Sequence, residues 1–154
     1  MGNSQPANVL IVGAGPAGLI LAHELLRRGV RVRLIEKRPG PSHTTRAFTL
    51  HARTMEMFEH IGVAHRLEEV CLPCPGNIYH FQGMPEEQLP RTDFRTLPSR
   101  YAFYYKLNQN DFEQVLREHL HAQYSLVPEY GTELVSVTEC EGRVDVGLDR
   151  KSVV

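Results

Sequence analysis

Residues 9–18 have the sequence VLIVGAGPAG, a short apolar run followed at once by three glycines spaced Gly-x-Gly-x-x-Gly. The run Val9–Val12 is rich in β-branched residues and bounded by glycine, which predicts a strand buried on both faces in a parallel sheet. A helix is predicted from about residue 17 to residue 28, and residues 30–36 alternate apolar and basic before an acid, which predicts a second strand. Strand, helix and strand within roughly thirty residues form one βαβ unit, so the sequence predicts an α/β fold with a parallel sheet.

The glycine-rich turn has the spacing of a dinucleotide-binding loop. Gly13 permits the tight turn, Gly15 lets the backbone approach a pyrophosphate, and Gly18 lets the helix pack closely on the strand. Pro16 and Ala17 open the helix, whose N-terminus offers N–H groups and a partial positive charge to phosphates. These five residues are therefore the candidate pyrophosphate site.

Glu36 supplies the acidic residue that such a site needs. It ends the second predicted strand, 18 positions after Gly18, where a carboxylate can accept hydrogen bonds from ribose hydroxyls. The alternative is a glycine-rich turn beside an unrelated surface acid. Agreement between strand, helix, second strand and acid favours a dinucleotide site, but this pattern does not distinguish FAD from NAD.

The remaining residues predict shorter elements. Residues 37–52 are polar and predict a long loop, and residues 71–100 are rich in turn-forming residues. Hydrophobic spacing and β-prone runs predict helices at about 52–60 and 110–123, and strands at 78–82, 101–107, 132–138 and 143–148.

Composition excludes several classes of partner. The formal net charge is −1, and no apolar run is long enough to span a bilayer, so neither nucleic acid nor a membrane is expected as a partner. Three cysteines are few and odd in number, which favours a cytoplasmic location over a disulfide scaffold. Cys71 and Cys74 form a single CxxC without a second pair, and no metal site is expected. The oligomeric state is left open.

Three stretches beyond the glycine loop carry a family resemblance. They are residues 36–47 (EKRPGPSHTTRA), 50–56 (LHARTME) and 107–116 (LNQNDFEQVL). Together with the loop, they resemble the class A flavoprotein monooxygenases, the FAD-dependent aromatic-ring hydroxylases, and most of all the phenol-hydroxylase and polyketide-hydroxylase branch. The resemblance implies a Rossmann-like FAD-binding domain of the glutathione-reductase type.

The resemblance also implies roles for individual residues. The glycine loop would hold the FAD pyrophosphate and Glu36 the adenosine ribose, while Lys37 would lie near the adenine edge through its backbone. Arg46 matches the loop arginine that reaches the flavin cofactor; by itself it would indicate only a solvated cation. Gln109 matches the glutamine that binds the phosphate and ribityl region. No catalytic residue is identified.

The activity implied by the resemblance is hydroxylation of a small aromatic substrate with NAD(P)H and O₂. Two alternatives stay open: another FAD oxidoreductase, such as an oxidase or halogenase, and a noncatalytic nucleotide-binding fragment. The family's later Asp-Gly and Gly-Asp segments are not found, so residues 1–148 are expected to be the N-terminal part of an FAD-binding domain. Residues 149–154 can be encoded by a common sequencing adapter and are expected to be a non-native tail.

Overall fold

The protein is represented by a computed structural model, which describes residues 7–41 and 47–150. The chain divides into two compact units, one of Met1–Thr44 with Leu116–Val154 and the other of Thr45–Val115. The elements, in chain order, are β1 (Val9–Val12), α1 (Pro16–Leu26), β2 (Val32–Glu36), β3 (Ala47–Leu50), α2 (Ala52–Ile61), α3 (Ala64–Val70), β4 (Leu72–Cys74), β5 (Gly76–Ile78), β6 (Arg91–Asp93), β7 (Tyr104–Asn108), α4 (Gln109–Tyr124), β8 (Glu129–Tyr130), β9 (Thr132–Cys140) and β10 (Arg143–Arg150).

A parallel sheet forms the centre of the first unit. Its strand order is β1-β2-β8, and both pairings are parallel, from Val9 opposite Val32 to Glu36 opposite Tyr130. Ile35 is fully buried on β2 and Leu19 on α1, which joins the first two strands. The predicted βαβ unit and parallel sheet are therefore confirmed. The expected burial of β1 on both faces is wrong: Ile11 is buried but Val12 is exposed, because β1 pairs on one side only among the described strands.

His23 is an exception in the apolar packing of α1. Its side chain is fully buried, its ring lies 4.9 Å from the ring of His119, and neither ring nitrogen has a hydrogen-bond partner of acceptable geometry. Burial and the neighbouring His119 lower the pKa of His23 to about 4, against weaker opposing effects of the Leu116 backbone and Glu24. The imidazole is therefore neutral in the folded protein at neutral pH.

The second unit is an antiparallel arrangement. Its larger sheet has the order β3-β7-β4, and β5 pairs with β6 in a separate hairpin. Phe112 is buried, with its ring edge-on to Phe48 at 5.1 Å and to Phe58 at 5.4 Å. This aromatic cluster holds β3, α2 and the start of α4 together.

The structure differs from the sequence predictions mainly in this unit. The expected loop at 37–52 contains the strand β3, and the strand expected at 78–82 ends at Ile78. Both errors concern short strands whose partners lie far along the chain, β7 for β3 and β6 for β5, so local composition could not predict them. Among the described residues no helix has the length and apolar character needed to span a membrane.

The last strand is longer than expected. We expected it to end at Leu148, but Asp149 and Arg150 continue β10 opposite Glu133 and Thr132 of β9. The departure of the last residues from the apolar pattern therefore did not mark the strand end. The origin of residues 149–154 stays a prediction.

Candidate functional site

The glycine-rich turn lies between β1 and α1 and is tied to β2. Gly13 has a φ of +103°, a backbone conformation that favours glycine, and its N–H donates to the Ile35 carbonyl at 2.8 Å. A Cβ on Gly18 would lie 1.9 Å from the Gly13 carbonyl oxygen. The first and third glycines are thus required by the backbone itself, as the sequence predicted.

The N-terminus of α1 is open where a diphosphate would approach. Gly15 is the N-cap residue with a φ of −79°, no side chain caps the helix, and no acidic residue lies in its first turn. A Cβ added to Gly15 would meet nothing within 4 Å. Pro16 has no N–H, and the N–H groups of Ala17 and Gly18 belong to the first turn, which has no intrahelical acceptor for them. This arrangement suits the negative charge and oxygen atoms of a diphosphate.

Glu36 ends β2 beside the same loop. Its side chain is buried, and its Oε2 accepts a hydrogen bond from the Ala14 N–H at 3.0 Å. Its Oε1 accepts from the Arg38 backbone N–H and from Arg38 Nε, both at 3.0 Å, while Arg38 Nη2 donates to Oε2 at 3.2 Å. The structure therefore brings together the glycine loop and the acid that the sequence singled out.

The charge state of Glu36 follows from these contacts. Burial raises its pKa, but the hydrogen bonds from Arg38 and Ala14 and the positive charge of Arg38 outweigh burial and hold the pKa at about 2. Glu36 is thus ionised at neutral pH and only accepts hydrogen bonds. Because its pKa is lowered from 4.5, its stabilising contribution is present above pH 4.5 and is lost as the pH falls towards 2.

Lys37, Gln109 and Arg46 were also predicted to contact the cofactor. Lys37 is exposed directly after β2. Gln109 lies in the second unit as the first residue of α4, where its Nε2 donates to Oε1 of the buried Glu113 at 2.7 Å. Arg46 lies outside the described residues, so its predicted contact with the cofactor stays a prediction.

Sequence reasoning missed Arg38 as part of the site. Residues two apart in an extended chain face the same side, so Arg38 was a candidate partner for Glu36 by position alone. The Ala14 N–H was also missed, because a backbone donor leaves no trace in residue identity.

The first cysteine of the CxxC pair, Cys71, has a raised thiol pKa, which is the opposite of what a redox site needs. Burial, with smaller effects from Glu68 and Asp111, raises the pKa of Cys71 to about 11, so its thiol stays protonated at neutral pH. Cys74 contacts the Leu72 carbonyl at 3.7 Å. A reactive thiolate at this position therefore has no support.

Comparison with known proteins identifies the family of the chain. The family described as "FAD binding domain" matches residues 6–152 of this chain. The chain belongs to this FAD-binding domain family. Its Rossmann-like α/β fold and the FAD cofactor expected from the resemblance agree with that membership.

The curated relatives of this FAD-binding domain include aromatic-compound monooxygenases. It is 45% identical over 150 residues to pentachlorophenol 4-monooxygenase of Sphingobium chlorophenolicum, covering 97% of this chain and 28% of that protein. It is 42% identical over 144 residues to 6-methylpretetramide 4-monooxygenase of Streptomyces rimosus, covering 92% of this chain and 25% of that protein. The chain thus spans about a quarter of the length of these two relatives.

Solved structures show the same fold. The flavin-dependent monooxygenase PieE, solved with FAD and substrate, superposes with a TM-score of 0.75 at 29% identity, over 96% of this chain and 27% of that one. The p-nitrophenol 4-monooxygenase PnpA of Pseudomonas putida superposes with a TM-score of 0.81 at 24% identity, over 90% of this chain and 35% of that one. The resemblance to class A flavoprotein hydroxylases is therefore confirmed.

Proposed function

We propose that this chain is the N-terminal part of a longer FAD-dependent monooxygenase that hydroxylates an aromatic or phenolic substrate with NAD(P)H and O₂. The observation that carries the proposal is the open glycine loop beside an ionised, buried Glu36, which suits the ADP half of FAD. The reaction class is supported by relatives that are named as monooxygenases of aromatic compounds. This chain spans about a quarter of the length of these relatives.

Each proposed site residue holds the cofactor. The glycine loop (Gly13, Gly15, Pro16, Ala17 and Gly18) would bind the pyrophosphate through backbone N–H groups and the positive end of α1, and Glu36 would accept from the adenosine ribose. The Lys37 backbone would lie at the adenine edge, while Arg46 and Gln109 would contact the remaining phosphate and flavin region. FAD, when bound, would accept a hydride from NAD(P)H and activate O₂. No residue of this chain is proposed as a catalytic acid or base.

We also propose a cytoplasmic location for the enzyme and a small molecule, not nucleic acid, as its partner. All three cysteines are free, which supports a reducing cytoplasm as the location. The net charge of −1 gives no reason to propose nucleic acid as a partner. A small aromatic molecule is the proposed substrate.

The test of this function is an oxygen-incorporation assay on the full-length protein. Purified with FAD, it is mixed with NADH or NADPH, a panel of phenols and isotopically labelled O₂. We expect substrate-dependent NAD(P)H consumption and one labelled oxygen atom in a hydroxylated product.

Other outcomes would contradict the proposal. Bound flavin with peroxide formation from every compound and no label in any product would indicate an oxidase. Halide-dependent product formation would indicate a halogenase. A protein that binds nucleotide without oxidising NAD(P)H would indicate a noncatalytic binding module.

A further inference from the structure

The ion pair between Glu36 and Arg38 occupies acceptor positions of the carboxylate that the adenosine ribose would need. Glu36 accepts four hydrogen bonds, one from Ala14 and three from Arg38. A carboxylate offers about four lone-pair sites. With these four hydrogen bonds in place, Glu36 has no acceptor position left for a ribose hydroxyl.

The four donors differ in how easily they can leave. The Ala14 and Arg38 N–H groups belong to the backbone that fixes the loop and the end of β2, and they bind different oxygens, Oε2 and Oε1. The two remaining donors belong to the Arg38 guanidinium, whose side chain is 40% exposed, whereas that of Glu36 is only 7% exposed. Of these donors, only the guanidinium belongs to a side chain that can rotate away without moving the backbone.

Removing the guanidinium would leave a suitable site for a vicinal diol. Each carboxylate oxygen would keep one backbone donor and regain one acceptor position, which matches the two adjacent hydroxyls of a ribose. We propose that Arg38 is a displaceable guard of the ribose site, paired with Glu36 in the ligand-free protein and released from it when the adenosine end of FAD binds. This inference rests on the proposed adenosine site at Glu36.

The guard has consequences for both states of the protein. In the ligand-free state it neutralises a buried carboxylate that would otherwise be uncompensated, so it stabilises the fold. On binding, the ion pair must break, so it weakens the affinity for the nucleotide. A residue that merely orients Glu36 for the ribose would instead strengthen nucleotide binding.

The test uses Arg38→Met, which keeps the length of the side chain and the backbone N–H but removes the guanidinium. ADP is titrated into the flavin-free full-length protein by calorimetry, and thermal unfolding is measured with and without FAD. We expect ADP to bind about fivefold tighter, the size of one partly exposed ion pair. We also expect the flavin-free variant to melt at a lower temperature and the gain in melting temperature on adding FAD to be larger than in the wild type.

Arg33→Met is the matched control. Arg33 lies on β2, the strand that ends at Glu36, but away from the glycine loop. It forms an ion pair with Glu129 of β8, in which Arg33 Nη2 donates to Glu129 Oε2 at 2.8 Å. It should lower the melting temperature without changing ADP affinity. Weaker or unchanged ADP binding by the Arg38 variant would overturn the proposal that Arg38 competes with the ribose for Glu36.

Glu36→Gln separates failure of the guard from failure of the site. It is made in the Arg38→Met background, where no ion pair remains to be lost, so that it weakens ADP binding if Glu36 binds the ribose. Weaker binding by Glu36→Gln without tighter binding by Arg38→Met would overturn the guard but leave the adenosine site standing. Unchanged ADP binding by Glu36→Gln would overturn both.

Discussion

Replacing Gly15 by valine is expected to abolish FAD retention while leaving the fold intact. Gly15 has an ordinary φ of −79°, and a Cβ there meets nothing within 4 Å, so a side chain causes no internal clash. That empty space is where a diphosphate would approach the N-terminus of α1. Two valine methyl groups would hold the phosphates away from the N–H groups, and hydrogen bonds to charged groups are worth about 1.5–3 kcal/mol each. We therefore expect the FAD dissociation constant to rise by at least about a hundredfold, or about 2.7 kcal/mol.

The measurement is the dissociation constant of FAD for the full-length variant, with circular dichroism and a thermal melt as folding checks. Ala122→Val is the control, because it places the same side chain at an exposed position of α4. A Gly15→Val protein that purifies with stoichiometric FAD would remove the loop from the cofactor site.

Replacing Gly18 is expected to damage the fold itself. A Cβ there would lie 1.9 Å from the Gly13 carbonyl oxygen and 3.1 Å from its carbon, and both are backbone atoms that cannot rotate away. The helix α1 would have to move off β1, which would open the packing between these two elements. Overpacking of a core costs about 1–3 kcal/mol when side chains can adjust, so we expect at least about 3 kcal/mol for Gly18→Val.

Urea unfolding of the two alanine variants compares the structural roles of Gly15 and Gly18. It does not require the Gly18→Val protein to be soluble. Gly18→Ala should unfold at clearly lower urea concentration than wild type, whereas Gly15→Ala should lower the midpoint only slightly, because alanine caps a helix less well than glycine but meets no clash there. Equal midpoints for the two variants would show that the close approach at Gly18 is not a constraint in solution.

These predictions use the part of the molecule that the sequence could predict best. The βαβ unit and its loop are local: Val9–Val12, the glycines and Glu36 lie within one short stretch, and their pairing follows from chain connectivity. The same was true of α4, where four apolar residues recur at helical spacing and are buried: Phe112, Val115, Leu116 and Leu120.

What could not be predicted depends on partners distant in the chain. The residues before β3 are polar and give no sign of a strand, and β3 pairs with β7. His23 lies in a helix whose spacing gave no reason to bury it, and its neighbour His119 is on α4. The Glu36–Arg38 pair was within two residues, but its geometry depends on how β2 ends beside the loop at Ala14. These are tertiary effects that override local preference.

A crystal structure of the full-length protein with FAD would show whether the glycine loop and Glu36 hold the ADP half of the cofactor. We expect the diphosphate against Gly15 and the first turn of α1, and both adenosine ribose hydroxyls about 2.5–3.0 Å from the Glu36 carboxylate oxygens. An adenosine end bound elsewhere, with Glu36 still facing only Ala14 and Arg38, would contradict this expectation.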